Sequence, residues 1–160
     1  MIKLVRIDHR LLHGQVVFRW SKILGIDCIL IASDTVCKDE LRMSALRLAK
    51  PAECKLVIKS IQDSATSINS GVTDKYKLLV IVENIEDAYR LCKEVSSIRQ
   101  INFGGTRMQE GKKQISKAVF VTKEEIELIN QMSEQGIEMF VQMVPDDTKE
   151  DIMKLIKEEK

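Results

Sequence analysis

The residues able to do chemistry gather in one short stretch. Both histidines, His9 and His13, lie in V-R-I-D-H-R-L-L-H-G-Q-V-V (residues 5–17), beside Asp8 and Arg10. A neutral imidazole is a competent nucleophile near neutral pH, and a phosphoryl group on it is passed onward readily. Asp8 could hold one imidazole N–H, fix the tautomer and stabilise positive charge on the ring. Arg10 supplies a planar, permanently charged guanidinium that can grip a phosphoryl group with two hydrogen bonds. His13 is therefore the candidate phosphoryl-carrying nucleophile, with Asp8 and Arg10 as its catalytic partners. Other readings stay open on these residues alone. A loop histidine is more often structural or solvated, and an Asp-x-Arg pair is more often a surface ion pair. A metal site is poorly supported, because His9, His13 and Asp8 lack further ligands nearby.

The stretch must be held by its flanks. Ile2–Ile7 is near-continuously apolar, the mark of a strand covered on both faces. From Gly14 to Leu24 the apolar residues Val16, Val17, Trp20, Ile23 and Leu24 recur at helical spacing, and Gly25 supplies a stop. The polar knot thus sits at the carboxyl end of a first strand and leads into a helix N-terminus. Ligands bind at such strand ends in open parallel sheets, and free N–H groups at a helix start favour phosphate.

Further along, strands are predicted at Ile26–Ala32, Lys55–Lys59 and Tyr76–Val82, the last near the sheet centre. Helices alternate with them: one after Ser33-Asp34 with Leu41, Ala45, Leu48 and Ala49 on one face, ended by Pro51; one over Ile61–Asn69; one capped by Asn84. Only about a dozen polar residues separate Gln100–Phe103 from Ser116–Val121, too few for a helical crossover, so one of those two strands should be antiparallel. Thr122 and Glu125 form a capping box for a helix to Gln135 that Gly136 ends. A strand over Ile137–Val144 and a helix capped by Asp147 and Glu150 complete the chain. The fold class is α/β: an open, mostly parallel sheet of about seven strands with helices on both faces and one antiparallel strand in the C-terminal half. With no repeat, linker or low-complexity tract, residues 1–160 read as a single domain.

Composition excludes several classes. Among 160 residues, 44% are hydrophobic and 31% charged, and 25 basic against 24 acidic residues leave a net charge of +1. That balance gives no reason to expect nucleic acid or an anionic membrane as partner. No apolar run approaches a membrane span, and the N-terminus carries no signal-peptide pattern. Cys28, Cys37, Cys54 and Cys92 are far apart, which suits neither zinc nor a disulfide framework. The chain reads as cytoplasmic.

R-I-D-H-R-L-L-H-G-Q-V resembles the R-I-D-x-R-L-x-H-G-Q-V signature of the IIB component of the mannose/fructose/sorbose family of the bacterial sugar phosphotransferase system (PTS). The K-D-E-L-R within residues 34–46, the N-F-G-G at 102–105 and the C-terminal G-I-E-M-F-V-Q-M-V-P-D-D are similar to the same family, in its order. The resemblance implies a cytosolic phosphocarrier with no separate cofactor. It would accept a phosphoryl group from a phosphohistidine of the IIA component onto His13. It would then pass it to a sugar moved through the membrane components IIC and IID. The matching loop residues are Asp8, Arg10, Gly14 and Gln15, with Arg10, Gly14 and Gln15 binding the phosphoryl group; His9 falls at a variable position. The implied fold is again an open, mostly parallel sheet. Ser33 and Thr106 depart from the common Asn and Met and could alter sugar or partner preference. The alternative is a regulatory module whose His13 phosphorylation controls partner association without sugar transfer.

Four features have bland readings beside the functional ones. Gly104-Gly105 fits either a backbone approach to phosphate or a tight strand-end turn needing positive φ. Trp20 reads as core, the scattered methionines as packing or surface, and Lys112-Lys113 as a solvated loop.

Overall fold

The computed structural model describes residues 1–158. β1 (Ile2–Asp8), β2 (Cys28–Ala32), β3 (Lys55–Lys59), β4 (Leu78–Val82), β5 (Gln100–Gly105) and β8 (Glu138–Val141) form the parallel part of one sheet, and β9 (Glu150–Asp151) joins it antiparallel to β8. The strand order is β3-β2-β4-β1-β5-β8-β9. α1 (Gly14–Leu24), α2 (Glu40–Ala49), α3 (Ile61–Asn69), α4 (Ile85–Glu94), α5 (Lys123–Glu134) and α6 (Ile152–Glu158) follow the strands, and the hairpin β6 (Lys113–Ser116) and β7 (Val119–Val121) stands apart. Among the described residues, no helix is long and apolar enough to cross a membrane.

Helices cover both faces, and the central strands show why. Along β4 the side chains alternate between two cores. Leu78, Val80 and Val82 join Val5 and Ile7 beneath α3, α4, α5 and α6, while Leu79 and Ile81 join Leu4 beneath α1 and α2. Every residue of β4 is buried, as a strand with helices on both sides requires. α1 therefore leaves β1 toward one face and α4 leaves the adjacent β4 toward the other. The carboxyl ends of those strands flank a topological switch point, where open α/β sheets bind ligands. Asp8, the last residue of β1, sits at that point.

The antiparallel strand of the C-terminal half is β9, whose Glu150 and Asp151 pair with Val141 and Phe140. Gln100–Phe103 lies inside β5 and runs parallel to β1 and β8. The expected single strand over Ser116–Val121 is instead a hairpin outside the main sheet, because the chain reverses at Lys117-Ala118. The strand expected over Ile137–Val144 stops at Val141, where the Gln142 amide donates to the carbonyls of Pro145 and Asp147 and turns the chain. Asp147 and Glu150 do not cap the last helix. Asp147 accepts from the Val144 N–H, Glu150 pairs with β8, and Asp151 accepts from the Met153 N–H at the helix start.

The apolar face of α2 points away from the sheet. Leu41, Ala45, Leu48 and Ala49 face outward, with Leu41 and Leu48 83% and 90% exposed, while Leu46 and the partly buried Met43 face the sheet. The apolar spacing is helical, but anchors elsewhere set the helix phase. Val36 is fully buried just before α2, the Asp39 side chain caps the Arg42 N–H, and the Arg42 guanidinium reaches Glu83 at 2.7 Å. Together they turn the 42–43–46 side inward. Leu46→Ala should therefore cost about 2–3 kcal/mol, whereas Leu48→Ser should change stability by less than about 0.5 kcal/mol, both read from urea unfolding midpoints.

Candidate active site

The loop after β1 is shaped by its apolar residues. Leu11 and Leu12 are buried with Trp20 and Val17 in the core beneath α1, and this anchors the loop's underside. A turn closed by the Leu11 N–H to the Asp8 carbonyl at 3.0 Å puts Leu11 at φ 59, in the left-handed region that a leucine rarely adopts. His9, Arg10 and His13 are thereby left on the upper side. His13 is the N-cap of α1 in extended backbone, and Gly14 follows at φ 49. A Cβ at Gly14 would meet open space, so its backbone conformation, not crowding, calls for glycine there.

Asp8 is the hub. Its side chain has no exposure, and its Oδ2 accepts from His13 Nε2 at 2.8 Å and from Arg6 Nη2 at 3.1 Å. The other oxygen, Oδ1, accepts from the Arg10 backbone N–H at 3.0 Å. Burial is the largest influence on the Asp8 carboxyl and pushes its pKa up. The His13 hydrogen bond, the Arg6 charge and the Arg10 N–H together outweigh it, and the group titrates below the ordinary aspartate value. Asp8 is thus an anion and can only accept, so the proton it meets sits on His13 Nε2. Nδ1 is then the imidazole nitrogen with a lone pair to give.

The surroundings suit a phosphoryl group on that nitrogen. No side chain caps the first turn of α1, and that turn holds no acidic residue. Its N–H groups are oriented for an anion. The Arg10 side chain is half exposed, with Nε 3.9 Å from Asp8 Oδ1, and is able to swing over the imidazole. Gln15 is exposed in the first turn. The predicted residues Asp8, Arg10, His13, Gly14 and Gln15 are thus contiguous on one rim. His9 diverges: its N–H donates to the Gly105 carbonyl at 3.1 Å, and its ring borders a neighbouring polar cleft of about 290 Å³.

Sequence reasoning missed three residues. Arg6 was a letter in a motif and is the largest fully buried side chain. Its Nη1 donates to Asn102 Oδ1 and, at 3.2 Å, to the Gln142 carbonyl, and the guanidinium lies 5.8 Å over the Trp20 ring. Gly104 lacks positive φ, and the Arg6 guanidinium occupies the place its Cβ would take, so neither reading of the glycine pair holds there. Met143 places its sulfur 3.6 Å from Arg6 Nη2 and 3.9 Å from Arg10 Nη2. A charge inside an apolar strand is a sequence signal for the buried arginine; the glycine pair stands out in the sequence without pointing to Arg6 as its cause, and nothing there signals Met143. Trp20 is core, as read, and its indole N–H also holds the Met143 carbonyl at 3.0 Å. Lys112 pairs with Glu125 at 3.7 Å.

Ser33 and Thr106 are buried structural residues. Ser33 Oγ donates to Glu83 at 2.7 Å, and Thr106 Oγ1 both donates to the Phe120 carbonyl and accepts from its N–H, each at 2.7 Å. They brace the loops that carry Thr35 and Arg107 to the polar cleft.

A doubly covered parallel sheet with a buried carboxylate steering an imidazole at a helix start defines an open α/β domain with a candidate nucleophile at its topological switch point. Comparison with known proteins gives the particular family. Residues 2–160 match the model of the PTS system sorbose subfamily IIB component, and the chain belongs to that family. It is 30% identical over 156 residues to the PTS system fructose-specific EIIB component of Bacillus subtilis (strain 168), covering 98% of this chain and 96% of that one. It is 34% identical over 159 residues to the mannose-specific EIIAB component of Escherichia coli (strain K12), covering 98% of this chain but 48% of that relative. The crystal structure of the IIBSor domain of the Klebsiella pneumoniae sorbose permease superposes with a TM-score of 0.94 at 30% identity, over 99% of this chain and 97% of that one.

Asp8→Asn would leave Arg6 buried without its carboxylate and should lower stability by about 3–5 kcal/mol at neutral pH, read from urea unfolding. Because the native Asp8 value is depressed, its contribution is complete above the unfolded-state pKa and is lost as pH falls through the native one. The gap between wild type and variant should hold from pH 8 to 5 and narrow below about pH 4.

Proposed function

We propose that this chain is a cytosolic phosphocarrier, accepting a phosphoryl group from a IIA phosphohistidine onto His13 Nδ1 and passing it to a sugar entering through IIC and IID. The observation that carries this reading is the 2.8 Å contact between His13 Nε2 and the buried Asp8 carboxylate, which leaves Nδ1 bare at the head of α1. In the first step the Nδ1 lone pair attacks phosphorus in line, and the bond to the donor nitrogen breaks. In the second a sugar hydroxyl oxygen attacks, the P–Nδ1 bond breaks with its electron pair returning to Nδ1, and the hydroxyl proton passes to solvent water. Asp8 balances the imidazolium character that the phosphorylated ring acquires. Arg10, the first-turn N–H groups beginning at Gly14 and Gln15, and no separate cofactor, neutralise the phosphoryl oxygens.

Three of the four cysteines are poorly placed to compete with histidine as the carrier. Cys28, Cys54 and Cys92 are buried, and burial pushes the Cys92 thiol up to about 12. A thiol so deprotonation-resistant is a poor nucleophile. The mannose-specific relative named as an EIIAB component supports a IIA partner.

Incubation with a charged IIA component and intact-mass measurement under mildly alkaline conditions tests the reading. A gain of about 80 Da is expected in wild type and His9→Ala and should be absent from His13→Ala. A gain that persists in His13→Ala overturns it. Arg10→Ala should slow charging about 100-fold with His13 still the site. Loss of the group on adding sugar with IIC/IID membranes separates transport from a purely regulatory module, which would retain it.

A further inference from the structure

We propose that Arg6 is a positioning residue for this transfer: from inside the sheet it holds the Asp8 carboxylate in the orientation that takes the Nε2–H of His13, and Gly104 stays free of a side chain to seat it. The inference rests on His13 being the phosphoryl carrier and adds a residue that never reaches the phosphoryl group.

A guanidinium 1% exposed inside a parallel sheet is costly, and the fold alone does not call for one. Position 6 shares a face with Leu4 and looks toward Trp20, where an aliphatic side chain would continue the apolar run of β1. Instead the fork is fixed from several sides: by the Asn102 amide oxygen, the Gln142 carbonyl, the Trp20 ring and the backbone of Gly104. Asn102 is fixed in turn by its own N–H bond to the Gln142 carbonyl at 2.9 Å. With so many restraints Arg6 cannot turn away when a partner arrives. The two arginines therefore divide the work. Arg10, half exposed, can follow the phosphoryl group, and Arg6 stays with Asp8.

Arg6 and His13 share the same oxygen of Asp8, and this has a chemical consequence. The charged groups facing the Asp8–His13 pair are Arg6 from β1 and Arg10 from the loop. β5 adds the neutral Asn102, and the segment after β8 adds the neutral Gln142 and Met143. Withdrawing the Arg6 charge makes the coupled pair hold a further proton at higher pH. That proton comes to rest on Nδ1, where it removes the nucleophilic lone pair.

The test follows the His13 imidazole of the full, unphosphorylated chain by long-range proton–nitrogen spectra against pH, in wild type, Gly104→Ala and Arg6→Gln, beside the pH dependence of charging by IIA. Gly104→Ala displaces the guanidinium without removing a charge or requiring positive φ, so it stays informative if Arg6→Gln does not fold. In both variants the pH at which Nδ1 gains its proton should rise by about one unit, and the charging rate at pH 7 should fall about tenfold and recover at higher pH. Arg6→Lys, which keeps the charge but not the fork, should restore much of the midpoint. A folded variant with the wild-type midpoint and rate overturns the proposal. So does a rate loss equal at every pH, the mark of damaged packing. The imidazole spectrum needs no phosphoryl donor, so a failure of the carrier reading and a failure of the Arg6 role appear in different measurements.

Discussion

A single carboxylate oxygen, Asp8 Oδ2, joins the inside of this protein to its working surface. It is buried, it carries charge, and it accepts from a wholly internal arginine and from an imidazole at the rim. A buried anion is tolerated only when its lone pairs are satisfied. The first strand supplies Arg6 and the loop after it the Arg10 N–H to that end, while Asn102 on the neighbouring strand and Gln142 after β8 hold Arg6 in turn. The precision of the site is therefore a property of the sheet, and the loop inherits it.

The topology makes this possible. β1 lies between β4 and β5, and its helix leaves to the face opposite that of α4. The carboxyl end of β1 is consequently open above and supported on both sides below. Leu11 and Leu12 complete the arrangement by pulling the loop down onto Trp20, which forces His9, Arg10 and His13 to remain on top. The positive φ at Leu11 is the local cost, offset by burial of its side chain.

The parts legible in the sequence are those governed by local rules. The start of α1 at Gly14, the Asn84 cap and the Thr122–Glu125 capping box follow from residue type and spacing, and each is present. The polar knot at the end of β1 was visible for the same reason, a charged cluster interrupting an apolar run. What stayed hidden depends on residues distant in the chain. The inward face of α2 is set by Val36 and by Glu83, forty-one positions from Arg42, against the helix's own apolar pattern. Gly104 is glycine because of a side chain ninety-eight residues earlier, and no local signal separates that from a turn. The short β9 exists because β8 offered an unpaired edge.

A phosphocarrier of the kind proposed, meeting two partners in turn, has a particular physical problem. Its nucleophile must be exposed enough to be reached from different surfaces, yet exposure loosens the groups that tune it. Here the imidazole keeps 18% of its surface open, while the carboxylate that sets its proton is completely covered. Partners can therefore exchange over Nδ1 without disturbing what happens at Nε2. The half-exposed cation, Arg10, stands on the solvent side of the Asp8–His13 pair, and the buried one, Arg6, stands beneath it. Placing the tuning elements beneath the sheet edge lets one histidine be both accessible and preorganised, which a loop alone, without a strand's register behind it, could not achieve.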